Sequence, residues 1–264
     1  MEENQEKIVI STHAKKRILK DVLNLIKNPL TEHGIFYKHD ANHMLKGRAI
    51  IIGPKDTIYE YGIYEFKFIF PTNYPFSPPK LKYITNDGNN TRFHPNLYRN
   101  GKVCLSILNT WSGDQWTSCQ SLSTVLLTLT TLFHNKSLLN EPGINENHRD
   151  FENYHTVIQY RNYQYAVNSK LYDIYKLYMI KKHDKDLFNF IYDKIITHKN
   201  AIIDNIKKLI DSEKDNVIIK TNIYTMNANI EYINILNETN EIFSLYSKIK
   251  TNKNKKTTNK KTNK

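Results

Sequence analysis

FHPNLYRNGKVCLSIL, Phe93 to Leu108, and the segment ahead of it, FPTNYPFSPPKL, Phe70 to Leu81, decide how this chain is read. From Phe93 to Trp116 neither helical nor strand periodicity holds, and Pro, Asn, Gly and Ser are dense, so the stretch predicts a long ordered loop region. Long loops inside compact domains are where function concentrates. This one carries Cys104 eight positions after Asn96. A thiolate is a strong nucleophile, so a cysteine here is a candidate reactive residue. The plainer role of a cysteine, a small buried apolar residue, is the reading for Cys119.

Working outward, β-branched and aromatic stretches at Gly34–Lys38, Arg48–Ile52, Tyr61–Phe70 and Lys80–Ile84 are separated by Gly, Pro and Asn, which predicts a four-stranded antiparallel meander. In the third, Tyr64, Phe66, Phe68 and Phe70 alternate with Glu65, Lys67 and Ile69, placing the aromatics on one buried face. Thr12–Asn28 reads as a short amphipathic helix with Ile18, Val22, Leu25 and Ile26 at helical spacing and Pro29 as its stop. Its other face carries Lys15, Lys16, Arg17, Lys20 and Lys27, either a solvated side or a docking face. Further helices are expected at about Cys119–Phe133 and Asp150–Val167, packed on the sheet. Beyond Ser169 the pattern is nearly continuous helix: Leu171–Ile180, Lys185–Ile210 and, more weakly, Asn216–Lys250.

Composition narrows the class without naming a function. With 39% hydrophobic and 12% aromatic residues the chain reads as globular, and no apolar run reaches the roughly 18–20 residues that span a bilayer. The N-terminus lacks the basic-then-apolar order of a secretory signal, and two cysteines without close pairing give little support to a metal cluster. A reducing home, cytosol or nucleus, is expected. Without the seven lysines of Lys250–Lys264 the formal charge falls from +12 to +5, so the basic balance belongs to the tail and argues against nucleic acid as the main partner. Residues 251–264, all Lys, Asn and Thr, have nothing to bury and are expected to be disordered.

The linked elements, a strand ending in Y-P-x-x-P-P, then H-P-N, then a cysteine eight residues on, resemble the ubiquitin-conjugating (E2) enzyme family. Thr110–Trp111 and Asn140–Gly143 are most similar to its large Z-type members. The resemblance covers residues 10–168 and implies an α/β (α+β) E2 core: an N-terminal helix, the meander and following helices. Residues 169–250 would then form a helical extension, acting as a partner platform or as a wrap around the core.

The resemblance also assigns roles. Cys104 would carry ubiquitin or a ubiquitin-like protein as a thioester, in a shallow channel reached by an extended peptide tail. Asn96 would hold the tetrahedral oxyanion, with a loop-capping asparagine as the alternative, and His94 and Pro95 would shape the turn. Glu141 would orient the incoming amine, with an exposed loop glutamate equally open. Ser106 stands where many E2s have an aspartate. The implied partners are an activating (E1) enzyme docking on Lys15, Lys16, Arg17 and Lys20, and a ligase (E3) docking on Phe70 and on the loop after Trp116, although Phe70 also reads as a sheet-edge core residue. ATP and magnesium belong to the E1 step, so no bound cofactor is expected. A non-catalytic E2-like adaptor and a cysteine hydrolase are the other classes; the first usually lacks the cysteine, and the second needs a partner histidine that no motif supplies.

Overall fold

The computed structural model describes residues 9–212 and 215–261, with side chains described as far as Ile249. By its contacts the chain divides into two compact units: 1–57 with 64–146, and 58–63 with 147–264. The family-like motifs around Cys104 all lie in the first.

In the first unit α1 (Thr12–Lys27) begins at Ser11, whose hydroxyl accepts the Ala14 N–H and so satisfies one of the orphan donors of the first turn. A meander follows: β1 (Ile35–His39), β2 (Lys46–Ile52), β3 (Ile63–Ile69) and β4 (Lys80–Tyr83), in spatial order β1-β2-β3-β4. Ile35 faces Ile51 in the β1–β2 register, and Phe66 faces Tyr83 in β3–β4. The alternation in β3 works as expected. Tyr64, Phe66 and Phe68 are fully buried, whereas Lys67 and Ile69 face outward. Tyr64 stacks on Phe133 at 4.3 Å between centroids, and Phe68 meets Tyr37 edge-on. Such pairs add about 0.5–1.5 kcal/mol beyond the area they bury.

The helix expected near Cys119–Phe133 is shorter, α2 (Leu122–Thr130), because Ser121 and Thr124 form a capping box that sets its start. Asp21, buried on α1, gathers three elements. It accepts the Tyr74 hydroxyl at 2.5 Å, the Leu122 N–H at the head of α2 at 3.3 Å and the Arg17 Nε at 3.0 Å. A buried carboxylate is tolerated because donors surround it, and the helix N-terminus it meets favours negative charge.

The second unit contains α3 (Phe151–Arg161), which runs through a wide turn at Asn162–Ser169 into α4 (Lys170–Met179), then α5 (Lys185–Lys194), α6 (Lys199–Ile210), β5 (Val217–Thr221), β6 (Met226–Ile230) and α7 (Tyr232–Lys261). The β5–β6 hairpin corrects the sequence expectation of weak helix over Asn216–Lys250 for its first part. Met226, Ala228 and Ile230 alternate inward along β6, a period-two signal that helical reading passes over. Both strands pack on α3, and Asp150 ties the hairpin to that helix by accepting the N–H groups of Asn222 and Ile223 at 3.0 and 2.9 Å. Within α7 the Tyr246 hydroxyl donates to the Leu171 carbonyl at 2.9 Å, and Thr239 donates to Asn168. The tail expectation for 251–264 falls on residues whose side chains, and at 262–264 whose backbone, lie outside the described residues. No helix among the described residues is long and apolar enough to cross a membrane.

Candidate active site

A small hairpin between the proline loop and α2 explains why Asn96 and Cys104 stand eight residues apart. Tyr98 N–H donates to the Lys102 carbonyl at 2.9 Å and Leu97 pairs with Val103, both pairs centred on Asn100. The next pair outward is Asn96 with Cys104. There the Cys104 N–H donates to the Asn96 carbonyl at 2.9 Å, and Asn96 Nδ2 donates to the Cys104 carbonyl at 2.6 Å. The spacing is thus an antiparallel register, and sliding it by one residue would turn the cysteine to the other face.

The hairpin is held against the sheet at its tip. Tyr83 N–H donates to the Gly101 carbonyl at 2.8 Å, and Lys82 bridges to Lys102. Gly101 has φ +90°, and a Cβ there would lie 2.8 Å from the Tyr83 carbonyl oxygen, so only glycine lets the two backbones meet.

His94 is fully buried and its Nδ1 accepts the Asn96 N–H at 3.0 Å, which places the proton of the neutral ring on Nε2. Burial, reinforced by His134 and Arg92, holds its pKa well below the ordinary value, so the ring stays neutral and structural. Arg92 supports the same turn: it donates to the carbonyls of His94 and Pro95 and lies 3.4 Å over the Tyr98 ring. Nothing in the residue order around Arg92 distinguishes a carbonyl brace from an ordinary surface charge.

The amide of Asn96 is oriented without ambiguity, since reversing it would set two oxygens against each other at 2.6 Å. One Nδ2 hydrogen goes to the Cys104 carbonyl, leaving the second as the donor that can face a developing oxyanion. Its Oδ1 is buried without a hydrogen-bond partner among the described residues. Cys104 itself corrects one expectation. In place of an open position in a shallow channel, the residue as a whole is 1% exposed. Cys119, which the sequence placed as a small buried residue, is instead exposed.

The remaining candidates lie on two short turns of the same unit. Ser106 begins a short turn (Ser106–Leu108) and lies under Gly113, where φ is +120° and a Cβ would meet the Ser106 Cβ at 3.2 Å. Glu141 follows the turn Ser137–Asn140, part-exposed, its N–H donating to the Leu138 carbonyl.

Three docking expectations change. Phe70 is 1% exposed, packed edge-on against Tyr74 and beside Phe68, because it shares the parity of the buried aromatics of β3. The phenylalanine that offers a surface is Phe76, 66% exposed and 5.2 Å from the His13 ring of α1. Trp116 is also buried, its indole N–H donating to the Pro75 carbonyl at 2.6 Å, so it braces the proline loop. Arg17 is spent internally: besides Asp21 it donates to the carbonyls of Ser118 and Gln120, fastening α1 to the segment before α2. Lys15, Lys16 and Lys20 stay exposed, with Leu19 and Leu23 exposed beside them.

The burial difference is directly measurable. A bulky maleimide added to the native protein should modify Cys119 at least about tenfold faster than Cys104, and urea should equalise the two rates. Equal rates in the native state would contradict the burial of Cys104.

Comparison with known proteins matches this architecture. The family model described as ubiquitin-conjugating enzyme matches residues 17–165. The chain is 42% identical over 153 residues to ubiquitin-conjugating enzyme E2 Z of Xenopus tropicalis, covering 57% of this chain and 48% of that protein. The same name in Homo sapiens is 42% identical over 153 residues, covering 57% of this chain and 43% of that protein. The human dual E2 ubiquitin-conjugating enzyme/E3 ubiquitin-protein ligase BIRC6 is 38% identical over 137 residues, which is 50% of this chain but 3% of that protein. The chain therefore spans about half the length, or less, of these relatives. Since the family model covers more than half of the chain, including the H-P-N turn and Cys104, this protein belongs to the ubiquitin-conjugating enzyme family.

Proposed function

We propose that the chain accepts the C-terminal carboxyl of ubiquitin, or of a ubiquitin-like protein, as a thioester on Cys104 and passes it to a substrate amine or to the cysteine of an E3 ligase. The observation that carries this reading is the mutual hold of Asn96 and Cys104, which puts an amide donor beside a cysteine whose own backbone is fixed. In the first step the Cys104 thiolate attacks the E1 thioester carbonyl, the new C–S bond forms, the C–S bond to E1 breaks, and the E1 cysteine leaves as a thiolate. In the second an amine attacks the carbonyl, a tetrahedral oxyanion forms, and its collapse breaks the bond to Cys104 while the amine gives up a proton. A single oxyanion donor contributes about 2.7–4 kcal/mol to such a barrier, and the second Nδ2 hydrogen of Asn96 is the group suited to it.

Glu141, a part-exposed residue after the turn Ser137–Asn140, is assigned to orient and desolvate the incoming amine. E1 is assigned to the exposed lysines of α1, and a ligase to Phe76 with α1, which lies beside it. ATP and magnesium enter at the E1 step, without a cofactor on this chain. Two free cysteines suit a reducing compartment, cytosol or nucleus.

Incubation with E1, ATP and ubiquitin should give an adduct that thiol reductant releases; Cys104→Ser should give a reductant-resistant ester and Cys104→Ala none. An adduct that survives in Cys104→Ala would sink the assignment. In the same assay Glu141→Gln should charge normally and discharge to free lysine more slowly, and an unchanged discharge rate removes Glu141 from the reaction.

Docking through exposed lysines is screened by salt, since the Debye length shrinks from about 10 Å at 0.1 M to about 3 Å at 1 M. The KM for E1 should accordingly rise with ionic strength in the native chain and rise less in Lys15→Ala/Lys16→Ala/Lys20→Ala. Parallel salt curves would place E1 elsewhere.

A further inference from the structure

Thr110, the first residue of the Thr110–Trp111 pair, does something its position in an exposed loop does not suggest. Its hydroxyl accepts the Leu105 N–H at 2.9 Å and lies 2.9 Å from the Val103 carbonyl and 3.1 Å from the Leu105 carbonyl, so its single proton serves one of these oxygens. Its own N–H donates to the Leu105 carbonyl at 3.1 Å. The hydroxyl therefore bridges the backbone on both sides of Cys104.

Joined to the Asn96 contacts, this completes the fixing of the nucleophile's backbone. Val103 C=O lies against Thr110, Cys104 N–H and C=O are held by Asn96, and Leu105 N–H is held by Thr110. What is left to the sulfur is rotation about the Cα–Cβ bond. The loop that delivers the hydroxyl is itself closed at its base, where Asn109 takes φ +57° and its Oδ1 accepts the Trp116 N–H at 2.8 Å.

We propose that Thr110 is a positioning residue for the acyl transfer: its hydroxyl fixes the Cys104 backbone so that the thioester carbonyl meets the Asn96 amide and the incoming amine at a set distance. This rests on the thioester reading above. The rest of Thr110 is exposed, so replacing it by valine removes the hydroxyl with little loss of packing. That separation allows the reaction and the fold to be tested apart.

The test is single-turnover discharge of purified ubiquitin thioesters to free lysine, after E1 and ATP are quenched, for the native chain, Thr110→Val, Thr110→Ala and Thr110→Ser. A displacement of about 1 Å can cost roughly 100-fold in rate, and loss of one of two braces should cost on the order of tenfold. Thr110→Val and Thr110→Ala should thus lose about tenfold in the limiting discharge rate with little change in the KM for lysine. Thr110→Ser should stay within about twofold of the native rate. Discharge by Thr110→Val within about twofold of native overturns the proposal. So does unfolding of both Thr110→Val and Thr110→Ala while Thr110→Ser stays folded, because the hydroxyl would then serve the fold and not the reaction. If the native chain itself forms no adduct, the thioester reading fails first, and that outcome is separate from a native chain that charges and a Thr110→Val that discharges at full speed.

Discussion

Two hydrogen bonds between Asn96 and Cys104, one from backbone to backbone and one from side chain to backbone, are the constraint on which the site depends. They exist because a tight hairpin centred on Asn100 places these two residues opposite each other, and that hairpin exists because Gly101 lets its tip touch β4. The geometry of the candidate site is thus inherited from the sheet. A rigid, aromatic-packed β3 and β4 carry the hairpin, and the hairpin carries the thiol. His94 and Arg92 contribute by closing the turn from inside, a neutral ring and a guanidinium satisfying the N–H and carbonyls that the loop would otherwise bury unpaired.

The same first unit separates its chemistry from its contacts. Asp21 draws α1, the proline loop and the head of α2 to one carboxylate, and Arg17 fastens the other side of that junction. With these two charges used internally, the outer face of α1 is left with Lys15, Lys16, Lys20, Leu19 and Leu23, and Phe76 stands next to it. A mixed surface of lysine and exposed apolar side chains on a firmly anchored helix is suited to transient, salt-sensitive partners.

Much of this was readable from residue order, and the failures have physical causes. The β3 aromatics were legible because a strand has period two, and the Asn96–Cys104 spacing because it matches a family motif; the hairpin register behind it lay in a stretch that reads as loop. For Phe70 two readings competed, burial by the parity it shares with Tyr64, Phe66 and Phe68 and docking by resemblance, and the parity is the one the structure follows. The partners of Arg17, a hundred residues away along the chain, leave no local trace. Nor does the hydroxyl of Thr110, whose role depends on where a loop returns. The β5–β6 hairpin was hidden by its exposed Ile218 and the asparagines around it, which blur the alternation that Met226, Ala228 and Ile230 keep.

The central claim is that the Asn96 side chain acts on the reaction while its backbone holds the register. Asn96→Ala separates the two, because the Cys104 N–H bond to the residue 96 carbonyl survives the change. The decisive measurement is the discharge rate of this variant's ubiquitin thioester to free lysine. The account predicts charging by E1 close to native and discharge slower by about 100- to 1,000-fold. Discharge at the native rate would contradict it.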